Sequence, residues 1–148
     1  MVPVCGAEAE DGTSKYNRPE AEAVAAIVRR LLQYGELRAA DIGVISPYGA
    51  QVRILRSLLR SGMASRDPNA VEVSSVDGFQ GREKEVIVFS CVRASQRGGL
   101  GFLADARRVN VAFTRAKRGL IVIGHPPTLE REAGTWAPWL RWARSNGE

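Results

Sequence analysis

The stretch that decides the fold runs from Val71 to Arg118, and it opens with VEVSSVDGFQGREKEVIVFSCVR. A short β-branched run, Val71–Ser74, leads through a polar turn into the nearly continuous apolar run Val86–Cys91. Such runs suit strands that are buried on both faces, as in a parallel sheet. The sequence therefore predicts an α/β fold, which places its sites in polar loops at the carboxyl ends of the strands.

The polar turn between the two runs, Ser75–Glu83, is crowded with groups that bind anions or sugars. Gly78 and Gly81 remove side chains where the backbone must turn or lie against a ligand, and an exposed backbone N–H can meet a phosphate oxygen. Glu83 is a carboxylate of the kind that accepts hydrogen bonds from ribose hydroxyls. Gln80 is either a ligand of phosphate or water, or a structural amide.

The same stretch closes with RRVNVAFTRAKRGLIVIG, residues 107–124. Its pattern predicts a helix over Ala106–Lys117 and a buried strand over Leu120–Gly124. Taken alone, Arg115 is an ordinary surface charge. However, an arginine held rigidly near a nucleotide can clamp the γ-phosphate and stabilise charge during phosphoryl transfer. The basic residues that crowd this segment are Arg107, Arg108, Arg115, Lys117 and Arg118.

These residues carry a resemblance to a known family. VDGFQGREKEVIVFSCVR resembles motif V, and RRVNVAFTRAK resembles motif VI, of superfamily 1 helicases in the group that contains the nonsense-mediated decay RNA helicase. The resemblance covers nearly the whole chain and implies a second, C-terminal RecA-like domain. The fold expected from it is a three-layer α/β sandwich of the P-loop NTPase type with a mainly parallel sheet. It also implies that Arg115 is the arginine finger and that Gly81 and Glu83 line the nucleotide cleft, beside Gln80.

A second polar loop follows the predicted strand Ile42–Ser46 and opens a helix, which makes it a ready anion site. The resembled family has a similar Ser/Thr-Pro-Tyr loop that faces the nucleic-acid strand. The alternative is a plain turn with Tyr48 packed in the core. The hydroxyls at the end of the run Val71–Ser74 could bond phosphate, or only cap the turn. The candidate contacts to a strand are Ser46, Pro47, Tyr48, Ser74 and Ser75.

Composition sets the outer limits. The 148 residues suit one domain, and 45% hydrophobic with 25% charged residues is ordinary for a globular protein. The net charge of +5 favours an anionic partner. No apolar run approaches the roughly 20 residues of a membrane helix, and no secretory signal is visible, so an intracellular protein, cytoplasmic or nuclear, is expected. Cys5 and Cys91 lack metal-site spacing, so reduced thiols and no metal site are expected.

Other segments carry less chemistry. Asn17 is predicted to cap a helix that ends at Gly35, with Glu20 completing a capping box. The pattern predicts a mobile loop over Gly6–Tyr16 and a flexible loop over Ser95–Asp105. A lone histidine without a cysteine or carboxylate constellation is most often structural, and tryptophans at every third residue indicate packing more often than base stacking. These residues are His125, Trp136, Trp139 and Trp142.

The sequence contains no G-x-x-x-x-G-K-[ST] loop and no Asp-Glu pair for a Walker B carboxylate. In the resembled family, those parts belong to the first RecA-like domain. Residues 1–148 are therefore expected to be a single C-terminal motor domain of an ATP-dependent RNA or DNA helicase. Its expected partners are single-stranded RNA or DNA and a first RecA-like domain, which would bind most of ATP and Mg²⁺. The isolated chain is predicted to be inactive.

Two alternatives stay open from the residues. The chain could be a non-catalytic module from a degenerate helicase that binds nucleic acid or a protein. It could also be a standalone α/β protein that binds phosphate.

Overall fold

The computed structural model describes residues 1–62, 71–95 and 98–146. Seven strands are present in these ranges: β1 (Val2–Pro3), β2 (Ala9–Asp11), β3 (Ser14–Tyr16), β4 (Ile42–Ile45), β5 (Glu72–Ser74), β6 (Lys84–Ser90) and β7 (Ala116–Gly124). The α-helices are α1 (Arg18–Gln33), α2 (Gly49–Gly62), α3 (Ala106–Phe113), α4 (Pro126–Leu129) and α5 (Trp136–Asn146). Short 3-10 helices cover Ala39–Asp41, Asp77–Phe79 and Gly101–Ala104.

Five strands form one sheet in the order β1-β7-β6-β4-β5, and every neighbouring pair is parallel. Lys84 pairs with Ala116 where β6 and β7 begin, and Ile45 pairs with Phe89 and Ser74 near the other end. All strand starts therefore lie along one border of the sheet, called the amino edge below, and all strand ends lie along the carboxyl edge.

Helices cover both faces of this sheet, because successive strand residues point to opposite sides. On β6, Val88 packs with α1 and α2, whereas Ile87 and Phe89 pack with α3 and α5. The same division holds on β7, where Val122 and Ile123 face opposite layers. The predicted three-layer RecA-like α/β fold with a parallel sheet is confirmed.

An aromatic cluster anchors α5 to the sheet. Phe113 at the end of α3 lies 5.5 Å from Phe89 and 5.8 Å from Trp136 between ring centroids. Trp136 is fully buried, and its indole N–H donates to the Leu103 carbonyl at 2.7 Å. Packing is thus confirmed for Trp136 and for Trp139, which touches the same rings, but Trp142 is 59% exposed.

Three local predictions were wrong. Gly6–Tyr16 is not a loop throughout, because it holds the antiparallel hairpin β2–β3, which docks on α2 through the Ser14 hydroxyl. The helix predicted over Ala106–Lys117 ends at Phe113, since β-pairing with β6 recruits Ala116 and its successors into β7. The segment Ser95–Asp105 contains a 3-10 helix, while its residues 96–97 lie outside the described part.

No helix in the described ranges is both long and apolar enough to cross a membrane. Within the same ranges, no cluster of three or more histidine, cysteine, aspartate or glutamate side chains could hold a metal ion.

Candidate functional site

The residues predicted to meet a nucleotide come together at the amino edge. The turn after β5 starts at the carboxyl edge with Ser75 and returns to the amino edge, where Glu83 immediately precedes β6. There the Lys84 N–H donates to the Arg115 carbonyl at 3.0 Å. Glu83 and Arg115 are therefore neighbours at the starts of two adjacent strands.

This placement corrects one expectation. The turn Ser75–Glu83 was predicted to lie with the carboxyl ends of the strands, but its second half lies at the opposite border of the sheet. The reason is topological, because the strand after a crossover must start at the same edge as its parallel partner. The turn and α3 both lead from the carboxyl edge back to the amino edge, so the last residues of each lie at the amino edge.

The backbone of the turn is held by its own packing. Phe79 is fully buried and anchors the 3-10 helix Asp77–Phe79. Gly81 has φ of +76°, a left-handed conformation that side chains disfavour. Gly78 lies so close to the Ser74 hydroxyl that a Cβ there would collide with it. The glycines thus serve the turn itself, and Gly81 is exposed.

The Arg115 guanidinium rests on the end of α3. Its Nε donates to the Val111 carbonyl at 3.0 Å, and one Nη donates to the Thr114 hydroxyl at 3.2 Å. A guanidinium has five N–H donors, so donors remain for a ligand. Gln80 and Glu83 are exposed, and neither side chain has a hydrogen bond or ion pair to any residue that the structure describes. These polar groups are free to meet a ligand.

Helix α3 is tied to the turn by charge. Asp105 caps the helix by accepting from the Arg107 and Arg108 N–H groups at 3.0 and 3.3 Å. The Arg108 guanidinium donates to the Asp77 carboxylate at 2.7 Å and lies 4.3 Å from the centre of the Phe102 ring. Asp77 therefore links the turn to the helix that precedes Arg115.

The residues predicted to meet a nucleic-acid strand lie at the carboxyl edge, far along the strands from Arg115. Pro47, Tyr48, Ser74 and Ser75 are half-buried there. The Ser75 hydroxyl accepts from the Gly78 N–H at 3.1 Å, which is the turn bond foreseen as the alternative. The Tyr48 hydroxyl donates to the Leu100 carbonyl at 3.4 Å. Ser46 is fully buried and its hydroxyl has no hydrogen-bond partner among the described residues, so its neighbours form the accessible surface.

A buried polar network beneath this edge was missed by sequence reasoning. Asn17 caps α1 as predicted, since its side-chain oxygen Oδ1 accepts from the Glu20 N–H at 3.1 Å. The Glu20 carboxylate does not complete a capping box. Instead it accepts from the Ser90 hydroxyl at 2.7 Å and from the Val92 N–H at 2.8 Å. Gln51 joins the network by donating to the Asn17 carbonyl and to the Ser90 hydroxyl. The only sequence feature that could have indicated this buried network is the polar start of α1.

Burial dominates the chemistry of Glu20. Loss of solvent raises the pKa of this carboxyl from its ordinary 4.5 to about 7, although hydrogen bonds from Val92 and Ser90 oppose the rise. One carboxylate oxygen, Oε2, has no partner among the described residues. A neutral, protonated Glu20 is therefore the form that the fold favours.

We predict that Glu20→Gln removes a pH dependence of stability. Because folding raises the pKa from 4.5 to about 7, the stabilisation is full below pH 4.5 and is lost as pH rises through about 7. From about pH 5 to pH 8 the wild-type chain should lose about 2–3 kcal/mol of unfolding free energy that the variant keeps. Urea titrations at both pH values measure the difference. Glu22→Gln, an exposed change on the same helix, is the control, and equal pH dependence in all three chains would contradict the prediction.

The lone histidine is structural, as predicted. The His125 Nδ1 lies 2.8 Å from the Thr128 hydroxyl, which in turn donates to the Ser95 carbonyl at 3.1 Å. These bonds fix the start of α4.

Comparison with known proteins finds a family and several relatives that match most of this chain. Residues 3–127 match the family described as the AAA domain. A regulator of nonsense transcripts 1 homolog from Neurospora crassa is 51% identical over 120 residues, or 80% of this chain and 11% of that protein. The ATP-dependent helicase NAM7 of Saccharomyces cerevisiae is 46% identical over 139 residues, or 93% of this chain and 14% of that protein. The DNA polymerase alpha-associated DNA helicase A of the same yeast is 40% identical over 136 residues, or 91% and 19%.

The chain spans only 11% to 19% of the length of these relatives. Their names describe proteins that are several times longer.

Proposed function

Because this chain belongs to the AAA-domain family of superfamily 1 helicases of the nonsense-transcript-regulator type, as a C-terminal RecA-like domain, we propose that it supplies the arginine side of an ATP site shared by two domains. The relatives named as ATP-dependent helicases support a helicase domain in general. The particular roles assigned below to single residues, and the extent of residues 1–148 as one motor domain, are part of the proposal.

One observation carries the proposal. The Lys84 N–H donates to the Arg115 carbonyl at 3.0 Å, so Glu83, the residue before Lys84, lies at the amino edge beside Arg115, although more than thirty residues separate the two in the chain. Gln80 and Gly81 belong to the turn that leads to Glu83. These four residues are exposed or half-exposed, and Gln80 and Glu83 have no bonding partner in the described ranges. Polar side chains that no fold contact uses, gathered at one border, favour a ligand site.

The hydrogen-bond donors and acceptors of these residues fit a nucleoside triphosphate. The Arg115 guanidinium would bind the terminal phosphate, and Arg115 is the one catalytic residue that we assign. Glu83 would accept bonds from ribose hydroxyls, while the Gly81 N–H and the Gln80 amide would bond phosphate oxygens or water. When bound, ATP with Mg²⁺ supplies the phosphoanhydride bond whose hydrolysis drives the motor. No described cluster here could hold the metal, so Mg²⁺ would be held mainly by a first RecA-like domain.

The carboxyl edge would hold the nucleic-acid strand. We propose that Pro47 and Tyr48 on one strand end, with Ser74 and Ser75 on the next, meet the sugar-phosphate backbone of single-stranded RNA or DNA, while Ser46 lies buried beneath them. The two edges would be linked by the segments that lead from the carboxyl edge back to the amino edge. One is the turn that starts at Ser75 and the other is α3, and the Asp77–Arg108 ion pair joins them. A shift of α3 at the amino edge would thereby move the strand-binding residues.

The isolated chain should neither hydrolyse ATP nor unwind a duplex, because it has no loop of the Walker A type to position the phosphates. That same absence supports the second candidate function, a non-catalytic module of a degenerate helicase that binds nucleic acid or protein. The two candidates differ in whether the amino edge still works when a phosphate-binding domain is present.

A chimera tests the proposal. This chain would replace the 139 residues that it matches in the yeast ATP-dependent helicase NAM7. We expect the chimera to hydrolyse ATP and to be stimulated by single-stranded RNA, because the chain would complete the ATP site. Steady-state phosphate release is the measurement, and the unmodified yeast protein is the control. A chimera that folds and binds RNA as the parent does, yet shows no hydrolysis, would favour the non-catalytic module.

A further inference from the structure

A strained residue marks a second polar feature of the carboxyl edge. Val92, two residues after β6 ends, has φ of +72°, a left-handed conformation that is strained for a β-branched residue. The buried network holds it there, since its N–H donates to Glu20 and its carbonyl accepts from the Asn17 amide at 3.2 Å. Strain that is held so firmly is common at functional sites. Its effect here is to set the direction of the next two residues.

Those two residues, Arg93 and Ala94, form an anion cradle, and a carboxylate of the chain fills it. Glu8 Oε2 accepts from Arg93 Nε at 3.0 Å and from the Ala94 N–H at 2.7 Å. The Lys15 ammonium lies 3.7 Å from the other oxygen. Burial alone would raise the pKa of Glu8, but the bonds from Arg93 and Ala94 and the nearby positive charges lower it. The carboxylate therefore stays ionised and bound.

Described residues pack closely around the Arg93 guanidinium. The Arg93 side chain is only 7% exposed. The Tyr48 hydroxyl lies beside its guanidinium, and a Cβ built on Gly101 would lie 3.2 Å from Arg93 Nη1 and from that hydroxyl. A guanidinium, a backbone N–H and an ammonium around one anion are the donors that proteins use to bind phosphate.

We propose that the Arg93–Ala94 cradle binds one phosphate of a single-stranded nucleic acid, and that Glu8 occupies the cradle as an internal competitor when no strand is bound. This inference rests on the proposed function of the carboxyl edge as the strand-binding surface. Tyr48 belongs to both features, because it is a predicted strand contact and also flanks Arg93. A strand that touches Tyr48 would bring a phosphate to the mouth of the cradle.

The position of Glu8 favours this exchange. It lies just before the small hairpin β2–β3, a part of the fold whose own sheet has only two strands. Lys15 on that hairpin also pairs with Glu10, so its charge stays near the cradle after Glu8 leaves. Displacement would therefore require movement of a short surface segment and no change in the parallel sheet.

Binding of labelled uridine and thymidine oligonucleotides, followed by fluorescence anisotropy, tests the proposal on the full chain. Glu8→Gln removes the competing charge while it keeps the shape and one acceptor for the cradle. We expect it to bind both oligonucleotides about tenfold more tightly, since a hydrogen bond to an ionised acceptor is roughly twice as strong as one to a neutral acceptor. The slope of log affinity against log salt should steepen by about 0.7, for one more phosphate neutralised.

Asp11→Asn is the matched control, because it removes one negative charge from the same hairpin, and Asp11 pairs with the exposed Arg53 of α2 rather than with a residue of the cradle. It should alter affinity less than about twofold, as expected of an exposed ion pair. Glu8→Gln combined with Arg93→Gln should lose the gain. Equal gains in the two single variants would overturn the cradle and leave the strand surface standing. Absence of binding by every chain, wild type included, would overturn the strand surface itself. A gain with uridine oligonucleotides only would overturn phosphate as the recognised group.

A second measurement needs no variant. In the wild-type chain, the Ala94 amide resonance should shift when a saturating oligonucleotide replaces the carboxylate by phosphate as its acceptor. Shifts confined to residues around Tyr48 and Ser75, with Ala94 unchanged, would overturn the cradle. An equal Ala94 shift with inorganic phosphate at the same phosphate concentration would assign the site to free small anions and overturn its assignment to a strand.

Discussion

Replacement of Arg115 by alanine should lower ATP hydrolysis by the helicase chimera about 10³-fold or more and leave single-strand affinity unchanged. The guanidinium would stabilise charge that develops on the transferred phosphoryl group, so its loss should act mainly on kcat. Strand affinity should be spared because the carboxyl edge lies at the other end of the strands. Steady-state hydrolysis at saturating RNA, together with anisotropy of a labelled oligonucleotide, measures both quantities.

The fold should tolerate this change. The hydrogen bonds that the Arg115 side chain makes to described residues, the Val111 carbonyl and the Thr114 hydroxyl, lie at the end of α3. Their loss should cost about 1 kcal/mol or less of unfolding free energy.

Arg118→Ala is the matched control for the finger. Arg118 lies three residues further along in β7, is 78% exposed and pairs with Glu85 at 3.0 Å. Its removal deletes the same charge from the same border of the sheet. Hydrolysis should stay within about twofold of the unchanged chimera, as expected of a surface ion pair. Equal hydrolysis by the Arg115→Ala and Arg118→Ala chimeras would show that Arg115 is not the finger.

The second large effect is expected on stability. Trp136→Ala should destabilise the isolated chain by about 3–5 kcal/mol, because it empties a fully buried site. It also leaves the Leu103 carbonyl without the indole donor that bonds it at 2.7 Å. The rings of Phe113 and Trp139 would lose an edge contact. Since whole domains are stable by roughly 5–15 kcal/mol, chemical denaturation should show a marked loss.

Trp142→Ala makes the same substitution on the same helix at a position that is 59% exposed. It should change the unfolding free energy by about 0.5 kcal/mol or less. A similar cost at both positions would mean that α5 does not dock as described. Trp136→Phe separates the two contributions, because it keeps most of the buried ring and removes only the N–H donor.

Much of the architecture was predictable from local pattern. Runs such as Val86–Cys91 are too apolar for anything but a strand covered on both faces, and an asparagine before Pro19 at the start of an apolar stripe marks the beginning of α1. The limits of β7 were not predictable in this way. Ala116–Arg118 continues a helical pattern, and only pairing with β6 turns it into a strand.

The residues of the candidate site also fall into those that were predictable from sequence and those that were not. The residue types around Gly81, Glu83 and Arg115 indicated nucleotide chemistry, because they resemble known motifs. The cradle at Arg93 left no such trace, since its parts are separated by 85 residues between Glu8 and Arg93. The polar role of Glu20 was hidden behind a helix-start pattern that Asn17 alone accounts for.

By itself, the order of residues determined the alternation of strands and helices, the layered α/β fold and the kind of chemistry that its polar turns can perform. Tertiary structure alone decided where that chemistry lies. Each crossover in a parallel sheet returns the chain to the border from which it started, so Arg115 and Glu83 meet at the amino edge while Tyr48 and Ser75 meet at the other. Which distant charges are buried together, as at Glu20 and Arg93, depends on packing across the sheet, and no local pattern of residues carries that information.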